Sequence, residues 1–390
     1  ARLLLTEGIG RQKQSIAPEG EAPYALAAAA LSLAQICLEQ DQSAKAVEWL
    51  EDPKVGAYLL AKSDAAEFNR GNFRIEAFKA ALRAFVAADR LEAAEQALEA
   101  LEKAAPSDNL TQIYIALGRE LESNFKQALA AGDRVKTDRA ARGFDLFLTR
   151  IAGRPAEQIT YQALLWVAET FIELGNSLSP AAGPLSPEGQ QLYAKAAMAY
   201  GRIIDICRKD KEFAPREGVA TAIQIRLARC IRRLGKYQDA LDLLVEILAV
   251  NPDLLNAQIE ASRTYQDWGT EQPGYYLFAI RGGRKTQLKN GEIIYLVWGW
   301  NRIAIRVQYS EPHKDTYYQA KYNQALCRLK YAMALDGKQK NEQLRLAESD
   351  ILLILKLRPD MGGRTWYNQF DQVLKQIQAG LGVAADKRGL

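Results

Sequence analysis

Few residues in this chain are of a type and spacing that could do covalent chemistry. The one histidine, His313, stands in "SEPHKD" among solvent-type residues, and acid–base work by an imidazole needs a positioned partner. The four cysteines, Cys37, Cys207, Cys230 and Cys327, form no CxxC pair. Each falls in an apolar helical pattern, where a small, buried, reduced thiol is the ordinary occupant. Carboxylates are spaced as helix surface, so no metal site is expected, and no phosphate loop or nucleophile elbow occurs. Neither a cofactor nor catalysis is therefore expected. What remains is cationic and aromatic. "IRGGR", Ile280 to Arg284, sets two glycines between cations; its N–H groups could cradle an anion, or it is a plain connecting loop. Between Tyr265 and Tyr331 stand 13 of the 34 aromatics, and Arg281 to Lys330 carries 10 Lys/Arg against 3 Asp/Glu. Aromatics with arginine favour interface hot spots and suit stacking on bases or sugars. Tyr275, Tyr276, Arg281, Arg284, Trp298 and Trp300 are thus a candidate patch for an anionic glycan, lipid or nucleic acid, unless the rings are simply core.

Helices must position these groups. "LGKYQDALDLLVEILAVNP", residues 234–252, closes a 34-residue unit running from Thr221 to Leu254. Counted from Thr221, Leu227 and Ala228 are positions 7 and 8, Gly235 is 15, Tyr237 is 17, Ala240 is 20 and Pro252 is 32. Small residues at 8 and 20 let two helices approach, Gly235 ends the first helix, and Pro252 cannot continue the second. The Ala-to-Pro spacing recurs as Ala94/Pro106 and Ala347/Pro359. Looser units start at Ala27 (Ala34, Ala46, Leu50), Tyr161 (Val167, Ala168, Gly175) and Leu255 (Ala261, Ser262, Tyr265, Gly269). Another starts at Thr111 (Leu117, Gly118), where an extended connection should lead to a second helix near Arg134 to Arg150.

This pattern resembles the tetratricopeptide repeat. The resemblance implies an all-α, right-handed superhelical solenoid of six or seven helix hairpins over about residues 22–360, closed by a capping helix. In that cap Phe370, Val373, Leu374 and Ile377 face the last repeat, Asp371, Lys375 and Gln378 face out, and "VAADKRGL" reads as a frayed tail. Residues 1–21 are a lead-in, either loose or part of an earlier helix. Residues 22–215 hold helix pairs with irregular insertions, residues 216–360 a second set, and residues 361–390 the cap and tail. The stretch at about 275–312 fits least well. It reads as a short helix after Pro273, a basic loop from Arg281 to Asn290, and a helix from about Gly291 to Tyr309. Its β-branched content admits a strand, but the neighbouring helices favour helix, and no sheet is expected.

The resemblance also implies that positions 2, 5, 9, 12 and 13 of each first helix line a concave groove. Position 9 is Arg83, Arg119, Arg229 and Arg263, and positions 12 and 13 of the strongest unit are Arg232 and Arg233. Stacked, they would form a basic strip for an acidic segment of a partner protein. Alternatively they pair with carboxylates such as Glu260 and Asp267 and hold adjacent repeats together. The likeness to carboxylate-clamp members of the family is in residue type alone, since position 5 is Ile115, Ile225 and Ile259. The expected function is a non-catalytic protein-interaction scaffold, with self-association open. With 390 residues, 48% hydrophobic, 25% charged and a net charge of +4, composition is that of a soluble protein and too mildly basic to argue for nucleic acid. The longest apolar run, Tyr24 to Leu38, is shorter than the roughly 20 residues of a membrane span. The sequence starts at Ala1 and not Met, as it would if a segment were removed or if it were a piece of a longer protein; a cytoplasmic location and export after removal of a signal segment are both open.

Overall fold

Alanine and leucine at three- and four-residue spacing build helices with one apolar stripe, which is stable only when the next helix covers it. The computed structural model shows such helices in sequence, and it describes residues 2–15, 24–69, 71–105, 107–180, 183–216, 218–287 and 293–390. Pro106, expected to terminate a repeat, lies outside the described residues, as do Asn290 and Gly291. The chain divides into two compact units, Ala1–Leu174 and Gly175–Leu390. No described helix is long and apolar enough to cross a membrane.

The first unit contains α1 (Arg2–Ser15), α2 (Tyr24–Glu39), α3 (Ser43–Leu50), α4 (Ala57–Lys62), α5 (Phe73–Ala87), α6 (Leu91–Ala104), α7 (Ser107–Ala130), α8 (Arg134–Ala152) and most of α9 (Tyr161–Ser177). Helix packs on following helix in the pairs α2–α3, α5–α6 and α7–α8. Ala46 and Ala94, the small residues expected between paired helices, are fully buried. Gly143 lets α8 close on α5, because a Cβ there would stand 2.1 Å from Val86 Cγ1. Glu102 ties three helices, accepting hydrogen bonds from Tyr114 of α7 and Arg150 of α8. The extended connection expected after Gly118 is absent. Leu117, Leu121, Phe125 and Ala128 keep helical spacing and are buried, so α7 runs on until Gly132 turns the chain at φ +69°. Asp133 then caps α8 by accepting from the Lys136 N–H at 3.0 Å.

The second unit contains α10 (Pro187–Lys209), α11 (Val219–Arg233), α12 (Tyr237–Val250), α13 (Leu255–Trp268), α14 (Tyr275–Arg281), strands β1 (Gly283–Gln287) and β2 (Ile293–Val297), α15 (Gly299–Val307), α16 (Lys314–Met333), α17 (Gly337–Leu357) and α18 (Arg364–Gly380). Successive helices again pack in order, from α10 on α11 to α17 on α18. Ala228, Ala240 and Ala347 are fully buried, and Gly235 takes the left-handed turn after α11 at φ +76°. The all-α solenoid reading holds, with helices stacked in chain order within each unit.

Two expectations for this unit fail. The first concerns the sheet: β1 and β2 form a two-stranded antiparallel sheet with Gly283 opposite Val297 and Lys285 opposite Tyr295, and the following helix begins only at Gly299. Two glycines with positive φ make its neck, Gly282 at +94° and Gly299 at +68°. A Cβ on Gly282 would meet the Val297 carbonyl at 2.2 Å, and one on Gly299 would meet the Gly282 nitrogen at 2.3 Å. Gln258 of α13 then holds β2: its amide donates to the Pro252 and Leu296 carbonyls at 2.7 and 3.0 Å and accepts from the Trp298 N–H at 2.8 Å. The second concerns the cap. Phe370, Val373, Leu374 and Ile377 are buried as expected, but so is Gln378, whose amide donates to Glu348 of α17 at 3.0 Å. Nor is the tail frayed. The Gly389 N–H donates to Gln378 Oε1 at 2.7 Å and the Leu390 N–H to Asp371 Oδ1 at 2.9 Å, so two acceptors on α18 tie the tail down.

Candidate functional site

The arginines of α11 and the polar residues of α13 meet in a charge cluster in the second unit. Glu260, Arg263 and Asp267 recur at three- and four-residue spacing, which puts them on one face of α13. Glu260 is only 1% exposed and accepts from two arginines of α11, Arg232 Nε at 2.7 Å and Arg229 Nε at 3.2 Å. Arg232 also pairs with Asp267. Its own burial would lower its pKa, but these two carboxylates outweigh that and hold it above the usual guanidinium value. A charge this buried is tolerable only when paired and hydrogen-bonded, so Arg232 belongs to the joint between α11 and α13 and is not free to meet a partner. Arg229 is half exposed and shares the same carboxylate.

Arg263 differs. It is half buried and makes no hydrogen bond or ion pair with any described residue. Burial holds its guanidinium below the ordinary value; Glu260 and Asp267 oppose that shift while Arg232 and Arg229 reinforce it. Three cations therefore stand round two carboxylates, a local excess of one positive charge. Arg233 lies apart, over the ring of Tyr193 at 5.8 Å. Arg83 and Arg119 belong to the first unit, where Arg83 Nε lies 3.2 Å from Glu120 and Arg119 is exposed. Arg83 also lines a cleft of about 830 Å³ bounded by α2, α5, α7 and α8. The charges on that cleft balance, with Arg83, Lys136 and Arg139 against Glu39, Asp41 and Asp133.

The aromatic–basic patch does not form one surface. Tyr276, Trp298 and Trp300 are buried, and the Trp300 indole N–H donates to Gln266 at 2.9 Å. Tyr275 is half exposed, yet one face is taken by Trp268, with ring centroids 3.8 Å apart and nearly parallel. Arg281 lies over Phe278 at 5.2 Å, and Arg284 binds Asp242 at 2.8 Å. Most of the aromatic enrichment is spent on packing the irregular junction between α13 and α16. His313 is exposed. Cys37, Cys230 and Cys327 are buried free thiols and Cys207 is half buried; burial pushes Cys230 up to about 12 and raises Cys327 as well, which keeps both in the unreactive thiol form.

Sequence reasoning did not find Gln258, Gln266 or Gln378 as network centres. A glutamine inside an amphipathic helix carries no periodic signal of its burial.

No family model matches this chain, and no curated protein matches it. Among solved structures, one similar chain is a "circular tandem repeat protein with novel repeat topology and enhanced subunit contact surfaces". The two share 13% identity over 91% of this chain and 76% of that one, with a TM-score of 0.24. A score that low establishes no common fold.

Proposed function

We propose that the chain is a non-catalytic interaction module of tetratricopeptide type, and that its second unit receives an acidic segment of a partner protein at Arg263. One observation carries this reading: Arg263 is a half-buried cation with no hydrogen bond or ion pair to any described residue, set beside two arginines already paired with the nearby carboxylates Glu260 and Asp267. An incoming carboxylate supplies the missing partner. The tetratricopeptide frame is supported by the burial of Ala94, Ala228, Ala240 and Ala347 and by the left-handed Gly235. Arg229 stands at the edge of the same site and steers the approach. A charge-assisted contact of this kind contributes about 1.5–3 kcal/mol. The test is binding of a labelled hexaglutamate peptide, at low and high salt, to the parent chain and to Arg263→Gln. The expected result is at least tenfold weaker binding by the variant, an unchanged melting temperature, and loss of affinity as salt screens the contact. Equal binding by parent and variant, or by a hexaglutamine control, refutes the assignment.

A further inference from the structure

A helix with apolar residues all round is stable only where neighbours cover it on every side. In α17 the run "ILLILKL", Ile351 to Leu357, comes close to that composition. Leu344, Ala347, Ile351 and Ile354 recur at three- and four-residue spacing and are buried, on the side packed by α16 and α18. Leu346, Leu352, Leu353 and Leu357 lie on the other side and are between 41% and 67% exposed. The chain's own helices leave that side open, and exposed apolar groups gathered on one face mark an interaction surface.

The polar residues at the two borders of this face are engaged inside the unit. Asp350 accepts from Gln324 and Arg328 of α16 at 3.0 and 2.7 Å, and Glu348 accepts from Gln378 of α18 at 3.0 Å. On the open face, Glu342, Ser349 and Lys356 form an exposed row at seven-residue spacing beside the leucines. Neither Glu342 nor Lys356 makes a hydrogen bond or ion pair with any described residue. The row is self-complementary. When an antiparallel copy sets Leu346 opposite Leu353, the midpoint of the pairing falls between residues 349 and 350. When it sets Glu342 opposite Lys356, the midpoint falls on Ser349. The two alignments differ by one residue, about 1.5 Å along the axis, which a lysine side chain spans, so one docking serves both. Twofold symmetry makes each contact twice, and the small Ser349 at the midpoint lets the helices approach. A parallel copy in register would instead set Glu342 on Glu342 and Lys356 on Lys356, which repel.

We infer that the open face of α17 docks a second copy of this chain, antiparallel, about a twofold axis beside Ser349. The interface is independent of the Arg263 site. A single helix face is small against the roughly 1,600 Å² of a standard interface, so the pair dissociates on dilution. Sedimentation velocity of the full chain should show monomer at low concentration and dimer as concentration rises. Leu353→Glu sets a charge in the apolar row and should abolish the dimer with the melting temperature unchanged, since Leu353 is already half exposed. Glu342→Lys alone and Lys356→Glu alone each turn two attractive contacts into repulsive ones and should weaken association at least fivefold. The double variant Glu342→Lys, Lys356→Glu restores opposite charges across the axis and should recover the parent's association. That recovery is specific to the antiparallel register, because non-specific clustering through the leucines would ignore the exchange. A monomer at every concentration, a dimer that survives Leu353→Glu, or a charge exchange that fails to restore association overturns the assignment.

Discussion

Glu260 should be the most costly single side chain to remove from the second unit's polar interior. It is almost fully buried and holds Arg232 at 2.7 Å and Arg229 at 3.2 Å. Glu260→Ala takes the main counter-charge from Arg232, whose side chain is only 10% exposed. Removing one partner of a buried pair typically costs about 3–5 kcal/mol. Asp267 remains beside Arg232 and the half-exposed Arg229 contributes at most about 1 kcal/mol, so the lower end, near 3 kcal/mol, is expected. Arg232→Met should cost at least as much, because it leaves Glu260 buried with only Arg229. The double change Arg232→Met, Glu260→Leu should cost less than the sum of the two single changes, since it leaves no orphaned charge, and the shortfall measures their coupling. Arg263→Gln, which breaks no internal pair, should stay within about 0.5 kcal/mol. Urea denaturation gives the totals, and hydrogen–deuterium exchange on peptides covering residues 219–268 shows whether the loss is local. A cost below about 1 kcal/mol for Glu260→Ala, with exchange of α11 unchanged, would refute the view that this pair holds α11 to α13.

Three further outcomes can be checked. Ala240→Arg forces a charged chain into a site with no exposed surface and should cost about 3 kcal/mol or more, read from the melting curve. Native thiol labelling should begin at the half-buried Cys207 and reach Cys230 and Cys327 only on unfolding; mass spectrometry of the labelled peptides decides it, and early labelling at Cys327 would contradict its burial. Burial pushes Tyr265 and Tyr276 up to about 12 in the folded chain. The unfolded chain releases these protons first, near 10, so the native state binds more protons between those values and its stability falls as pH rises from 10 to 12. Phenolate absorbance should therefore lag behind that of a denatured control across this range.

The helical pairs were legible because their causes are local. Ala228, Gly235, Ala240 and Pro252 each answer a steric demand within one hairpin, and the demand repeats. The hairpin was not, because "EIIYLV" is a short apolar run that suits a strand or a buried helix equally. Its outcome depends on Gln258, which lies 38 residues from Leu296 of β2 and 40 from Trp298 just after it. The arginine positions were readable as positions, but not their fates. Arg232 and Arg263 look alike in sequence, and only the packing of α13 on α11 determines that one is buried in an ion pair while the other makes none.

The paired glycines at the neck of the hairpin have a consequence for protein engineering. Gly282 and Gly299 approach so closely that their backbones fasten the base of the β-ribbon, while Gln258 anchors the returning strand from below. The two ends of the excursion are therefore fixed by groups outside its tip. The base holds whatever joins Gln287 to Ile293, so α14 and α15 should keep their register when the chain between the two strands is lengthened.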